Sequence, residues 1–466
     1  MDELPVRLIA CAGAALLLSA CGGGTPRPAV TGEVRPDVVA RARGAAERIA
    51  QASAREPDRA YARLGELAGD HGRRITGSAA LDGAIAWAAQ RMRDDGLDDV
   101  RLQPVKVPHW VRGKEHARIL RPVDRPLALL ALGGSVGTHG TLRAPIAAFN
   151  DLDALRASTA RLDGTIAFVN HRMPPYDEAT GDPGYRQGVQ ARLHAATEAA
   201  KRGARAVLIR SVTAVSLGVP HAGALAYEGG VRKIPAAALS IEDADLLWGL
   251  AQRGPVDVEL YLGARTLPDA PSANVIGELR GRELPNEIVL LGAHIDSWDV
   301  GPGASDDGAG CVAVMEALRL LRETGLATRR TVRGVLFTSE EYLLAGARAY
   351  FEQYGREHHV AAFETDYGMG APDAIGVGSE DGVRAMAPLL PIFARFGIRR
   401  FLPHGYGADV APIVKAGATA FDLEPAARHY FDIHHTAADT LDRIRPEDLR
   451  QNAAAIALLA YVLAER

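Results

Sequence analysis

The sequence predicts an α/β chain: a sandwich on a mixed, mainly parallel sheet, interrupted by a smaller, strand-rich domain. Three observations predict it. Apolar, β-branched runs at 287–294, 331–338 and 360–364 read as buried strands, and each passes directly into polar residues. Helical patterns surround these runs, as strands alternating with helices require. Between about 113 and 267 the character changes to short strands around one helix. At 466 residues and 47% hydrophobic content, the chain has enough apolar material for two or three domains.

The elements follow in order. Leu8 to Ala20 is an apolar run too short to span a bilayer, and it ends in Leu18-Ser-Ala-Cys21 before three glycines. It is similar to a bacterial lipobox: residues 1–20 are expected to be a signal peptide, Cys21 the lipidated first residue, and 21–33 a short tether. The protein is then exported and lipid-anchored to the cell envelope, facing the periplasm, attached to the outer or inner membrane without spanning it. The acidic Asp2 and Glu3 ahead of Arg7 are atypical of a signal.

Helical patterns at Asp37–Ala54, Arg59–Ala68 and Ala79–Asp95 precede a strand near Val100–Val107, so residues 34–112 form a first part of the main domain. Strands at Gly164–Asn170, Ala206–Arg210, Ile234–Ser240 and Val256–Tyr261, with a helix at Gly188–Arg202, mark an inserted domain over 113–267. Residues 268–466 complete the main domain and end on a helix from Glu447 to Ala464, read as amphipathic. Of three cysteines, only Cys311 remains for the interior, so no internal disulfide is expected.

The chemistry sits at the ends of the three buried runs. His294 and Asp296 stand at i and i+2, so one side chain can ligate a cation while the other orients it. A glycine-rich loop then leads to Asp306 and Asp307 before a helix at Gly310–Leu321, and Asp306 is the candidate bridging carboxylate. Glu340 and Glu341 follow the second strand; one can bind metal while the other holds a proton from water. Asp366 follows the third strand, and His434-His435-Thr436 comes later. Two cations about 3.5–4 Å apart need anionic oxygen between them and neutral imidazole at the flanks. Open α/β sheets place sites outside the carboxyl ends of their strands. A metal-dependent hydrolase is the function these residues imply.

The stretch 292–308, with Thr338-Ser-Glu-Glu341, Glu364-Thr-Asp366 and His434-His-Thr-Ala-Ala-Asp-Thr440, resembles the co-catalytic zinc metallopeptidases of the aminopeptidase and glutamate carboxypeptidase family, nearest its plasma glutamate carboxypeptidase branch. The resemblance implies a three-layer sandwich with an inserted protease-associated domain. It implies two Zn2+ per chain, with Co2+ or Mn2+ as substitutes. His294 and Asp366 would hold one ion, Glu341 and His435 the other, and Asp306 would bridge; His434 is the fallback for His435. Glu340 would be the general base, Asp296 would orient His294, and Asp439 would serve His435. His404 and Asp409, on a glycine-rich loop that the family also carries, are expected to line the substrate pocket.

Substrates are short peptides, with aminopeptidase or dipeptidase activity expected because no arginine cluster lies near the ligands to clamp a substrate carboxylate. Asp409, Asp422 and Glu424 are candidates to receive the substrate ammonium. Glutamate carboxypeptidase activity is the alternative, and a non-catalytic periplasmic binding lipoprotein the rival from another class. A net charge of −4 without a basic block gives no nucleic-acid signature. The sequence leaves the oligomeric state open, a homodimer included. His358 and His359 read as solvated residues at a helix end.

Overall fold

Alternate residues of the central strand Leu284–His294 enter two different cores. Val289, Leu291 and Ala293 pack with the helices Pro36–Arg55, Ala309–Glu323 and Pro446–Glu465. Leu290 packs on the other face with Tyr350 and Ile413, from the helices Ala345–Tyr354 and Ala411–Lys415. The same alternation holds for Leu336 against Val335 and Phe337, and for Ala361 and Phe363 against Ala362. Side chains of period two covered on both faces give a helix–sheet–helix sandwich.

The computed structural model describes residues 34–426 and 428–466. The expected signal peptide, tether and Cys21 lie outside them.

Leu284–His294 is parallel to both Arg330–Phe337 and His358–Glu364, and the last is parallel to Thr419–Ala426. Arg265–Leu279 and Ala371–Gly376 add antiparallel pairings, so the eight-stranded sheet is mixed and mainly parallel. The parallel strands run the same way, so His294, Glu340 and Asp366 all follow carboxyl ends on one edge.

The chain divides into two compact units, one of residues 34–107, 270–430 and 439–466, the other of 108–269 and 431–438. The second has its own eight-stranded sheet, whose parallel centre comprises Leu142–Phe149, Ile166–Val169, Ala206–Arg210 and Ala236–Leu239. Its core is filled from the helix Tyr185–Lys201 by Ala191, Ala195 and Ala199.

Three local expectations change. The C-terminal helix is an interior helix: Asn452 to Glu465 are all buried, because Ala309–Glu323 and Pro36–Arg55 pack against it. His358 and His359 begin a strand, and His359 is buried, its Nε2 2.9 Å from the Tyr350 hydroxyl. The second buried strand ends at Phe337, so Glu340 and Glu341 occupy a turn rather than a strand end. That turn holds Ser339 in the left-handed region at φ 67°, a conformation that costs a non-glycine residue energy.

Among the described residues, no helix is long and apolar enough to cross a membrane.

Candidate metal centre

His294 is buried at the end of its strand, with Nδ1 3.1 Å from the backbone carbonyl oxygen of Asp296. A carbonyl only accepts, so Nδ1 donates and Nε2 is the nitrogen turned to the acids. Nε2 lies 3.3 Å from Asp306 Oδ1 and 3.2 Å from Asp366 Oδ1. Burial opposes a charge on His294, but Asp366 and Asp306 overcome it and lift its pKa well above the ordinary value. The sequence assigned the orienting role to the Asp296 carboxylate. Its Oδ1 is 3.8 Å from Nδ1, so Asp296 acts on His294 mainly through its backbone. The same Oδ1 accepts the Glu340 N–H at 3.0 Å, tying the glutamate turn to the strand carrying His294.

Two of the acids, Asp307 and Asp439, are held by backbone N–H groups. Asp307 Oδ2 accepts from His294 N–H at 3.0 Å and Oδ1 from Gly310 N–H at 3.1 Å. One donor atom each of His294, Asp307 and Asp366 falls within 4.8 Å of the others. Asp307 already spends both oxygens on N–H groups, which leaves Asp306 the better ligand of the pair. The peptide between them is cis. Asp439 Oδ1 and Oδ2 accept from the N–H groups of Ser305 and Asp306, at 2.7 and 3.0 Å, fixing the loop that carries Asp306. Cys311 is a core residue, as expected, its thiol donating to the His294 carbonyl.

Burial, and then neighbouring negative charge, pushes Glu340 and Glu341 well above the ordinary carboxylate range. Burial with Asp366 takes Glu364 to about 7, and burial with Asp306 takes Asp439 to about 7. So many acids raised together are short of countercharge, which a divalent cation supplies. One imidazole, several carboxylates and no thiolate ligand suit zinc.

Sequence reasoning missed three supports. Arg74, fully buried, donates from Nε to the Ile295 carbonyl at 2.8 Å, from Nη1 to Pro302 at 2.7 Å and from Nη2 to Gly303 at 2.9 Å. Glu364 accepts the N–H groups of Asp409 and Val410 at 3.3 and 2.8 Å. Asp307 does its work by holding N–H groups. Arg74 stands more than two hundred residues from its partners, so no local signal pointed to it.

Asp409 is buried, with neither carboxylate oxygen hydrogen-bonded. Burial, then Glu364 and Glu340, raises its pKa well above the ordinary range. His404 hydrogen-bonds Glu424 and stacks on Tyr406, the ring centroids 4.9 Å apart.

His434 and His435 belong to the second unit and are described within it. His435 takes φ 62°, its carbonyl accepts the Ala222 N–H at 2.9 Å, and its Nδ1 is 3.3 Å from Arg192 Nη1. Arg192 also donates to the Tyr185 hydroxyl at 2.7 Å. Burial, with His434 and Arg192 beside it, holds His435 well below its ordinary pKa.

Gly310 gives a test of sign. Alanine in a helix is ordinarily favoured over glycine by about 1 kcal/mol. Here an added Cβ would sit 2.1 Å from Asp307 Oδ1. Overpacking of that kind costs about 1–3 kcal/mol, so G310A is expected to lower the thermal midpoint; an unchanged or raised midpoint would show that Asp307 yields freely.

An imidazole facing buried carboxylates beyond the carboxyl ends of parallel strands defines a metal-dependent hydrolase site. The model of Peptidase family M28 matches residues 274–460. The chain is 37% identical to Carboxypeptidase Q of Mus musculus over 413 residues, which are 88% of this chain and 86% of that protein. It is similar to the crystal structure of a Peptidase M28 precursor from Shewanella amazonensis, with a TM-score of 0.85 at 35% identity over 92% of this chain and 98% of that one. The zinc aminopeptidase BSAP of Bacillus subtilis shares the fold, with a TM-score of 0.65 at 23% identity, covering 88% and 95%. The chain belongs to Peptidase family M28, and it is a metal-dependent peptidase.

Proposed function

We propose that this peptidase is a two-zinc exopeptidase of short peptides, acting as an aminopeptidase or dipeptidase. The observation that carries the reading is the approach of His294 Nε2 to both Asp306 Oδ1 and Asp366 Oδ1. In this reading His294 and Asp366 would hold one ion, Glu341 and His435 would hold the other, and Asp306 would serve both; His435 is assigned from its motif. Zinc, when bound, supplies Lewis-acid polarisation of the scissile carbonyl and lowers the pKa of water.

The chain's own residues do the rest. Glu340 takes a proton from the attacking water on its carboxylate and delivers it to the leaving amine. Asp296 holds the Glu340 backbone, so the base keeps its place while the proton moves. Asp307 and Asp439 hold the backbone around His294 and Asp306, which keeps the ligand oxygens set without reorganisation.

The likeness to Carboxypeptidase Q supports a second reading, carboxypeptidase action, for which the family resemblance of the motifs suggests glutamate-ending peptides. A panel of unblocked and N-acetylated dipeptides, assayed with and without zinc, separates the two. Zinc-dependent cleavage of unblocked peptides alone supports the first reading, cleavage of acetylated glutamate-ending peptides the second, and silence from zinc-loaded protein refutes both in favour of a binding lipoprotein.

The inserted segment 113–267 is read as a protease-associated domain. The N-terminal motif supports export and anchoring through Cys21. Palmitate labelling of cells making the full chain is expected to mark it, and C21S to abolish the mark; equal labelling of both would remove the anchor.

A further inference from the structure

We propose that His404, Asp422 and Glu424 form a divalent-cation site of the zinc class, separate from the His294 centre. Local structure brings the three together. Asp422 and Glu424 lie at i and i+2 on the strand Thr419–Ala426, so their side chains leave the same face. His404 follows the short strand Arg400–Leu402, two places away in the same sheet, and the loop after it folds back over the strand between. The His404 carbonyl accepts the Gly378 N–H at 2.8 Å, and the Tyr406 N–H donates to Asp422 Oδ2 at 3.1 Å. One donor atom of each of the three residues falls within 4.8 Å of the others.

The intervening strand makes room for this. Asp422 pairs in register with Gly376. A Cβ on Gly376 would stand 1.8 Å from Asp422 Oδ1 and 2.6 Å from the His404 carbonyl oxygen. The absent side chain lets the carboxyl group lie across the neighbouring strand, against the loop that carries His404.

Asp422 itself points to a ligand. It is 7% exposed, and its Oδ1 makes no hydrogen bond of ordinary geometry, the Gly376 N–H beside it acting only as a nearby dipole. Among the described residues, neither Asp422 nor Glu424 forms an ion pair with lysine or arginine; their one basic neighbour is His404, hydrogen-bonded to Glu424. Burial, and then the Glu424 charge, pushes Asp422 up to about 8. A buried carboxylate without countercharge is costly, and a divalent cation removes that cost.

Donor chemistry selects the ion class. One imidazole and two carboxylates, without thiolate, suit zinc, with manganese or cobalt as substitutes, and argue against calcium, which takes oxygen ligands. Stacking on Tyr406 fixes the plane of the His404 ring. His404 and Glu424 are both partly exposed, so an ion can enter from solvent. The loop after His404 leads to Asp409 and Val410, whose N–H groups Glu364 binds. A cation here would therefore tie down the chain that meets Glu364.

The test is zinc stoichiometry on the full chain, stripped by chelator, dialysed against zinc and measured by elemental mass spectrometry. E424Q and H404Q are each expected to bind one zinc ion fewer than wild type, whereas D306N, altered only at the His294 centre, keeps the ion at His404. Equal zinc content in wild type, E424Q and H404Q would overturn the proposal and leave the trio a hydrogen-bonded pair beside a protonated acid. A measurement without substitution covers variants that do not fold: zinc-edge anomalous maps from soaked wild-type crystals should show a peak touching all three side chains. No peak there, with zinc present at His294, would refute the site while leaving the proposed peptidase intact.

Discussion

E340Q is expected to lower kcat by about 10²–10⁴-fold, the usual contribution of a positioned general base, while the zinc content of the protein stays that of wild type. Glutamine is isosteric and leaves untouched the backbone N–H that bonds Asp296 at 3.0 Å, so the turn should keep its shape. It cannot accept a proton from water. The partial burial and nearby acids that raise the Glu340 pKa are a cost with no structural return visible in its side-chain contacts, as expected of a group kept for chemistry. Steady-state kinetics beside elemental analysis checks both halves. Turnover within tenfold of wild type would take the base role from Glu340; loss of zinc together with activity would recast it as a ligand.

R74M is expected to destabilise the fold by about 3–5 kcal/mol, judged from buried carbonyls that each lose about 1–3 kcal/mol when left without a donor. Arg74 serves three carbonyls of the segment 295–303, and its N–H and C=O also bond Ser297. Methionine fills much of the volume but donates nothing. R74K should recover only part of the loss, because one ammonium cannot reproduce a planar fork of donors. Denaturant midpoints measure the stability. Zinc affinity should fall as well, since the loop held by Arg74 runs on to Asp306. A midpoint unchanged in R74M would mean that other contacts fix the loop.

Much of this was legible in the sequence because it was local. The runs 287–294, 331–338 and 360–364 declared themselves by continuous burial, and ligand types immediately after them marked one edge of a parallel sheet. Asp306 and Asp366, candidate residues beside those runs, each bring a carboxylate oxygen within 3.3 Å of His294 Nε2. The motif could not say what carries Glu340 and Glu341. It is a left-handed turn at Ser339, whose conformation no propensity foretells. The C-terminal helix misled for a related reason: its few polar residues suggested a wet face, but neighbouring helices cover it.

By itself, then, the sequence determined the α/β class and the strands whose ends carry the candidate ligands, because periodicity and residue type act over a few positions. Only the tertiary structure decided how the acids are held. Arg74 against Ile295, Asp439 against Asp306 and Asp422 against His404 are partners far apart in sequence or on different strands. Their energies come from desolvation and hydrogen-bond geometry, which exist only once the chain has closed around them.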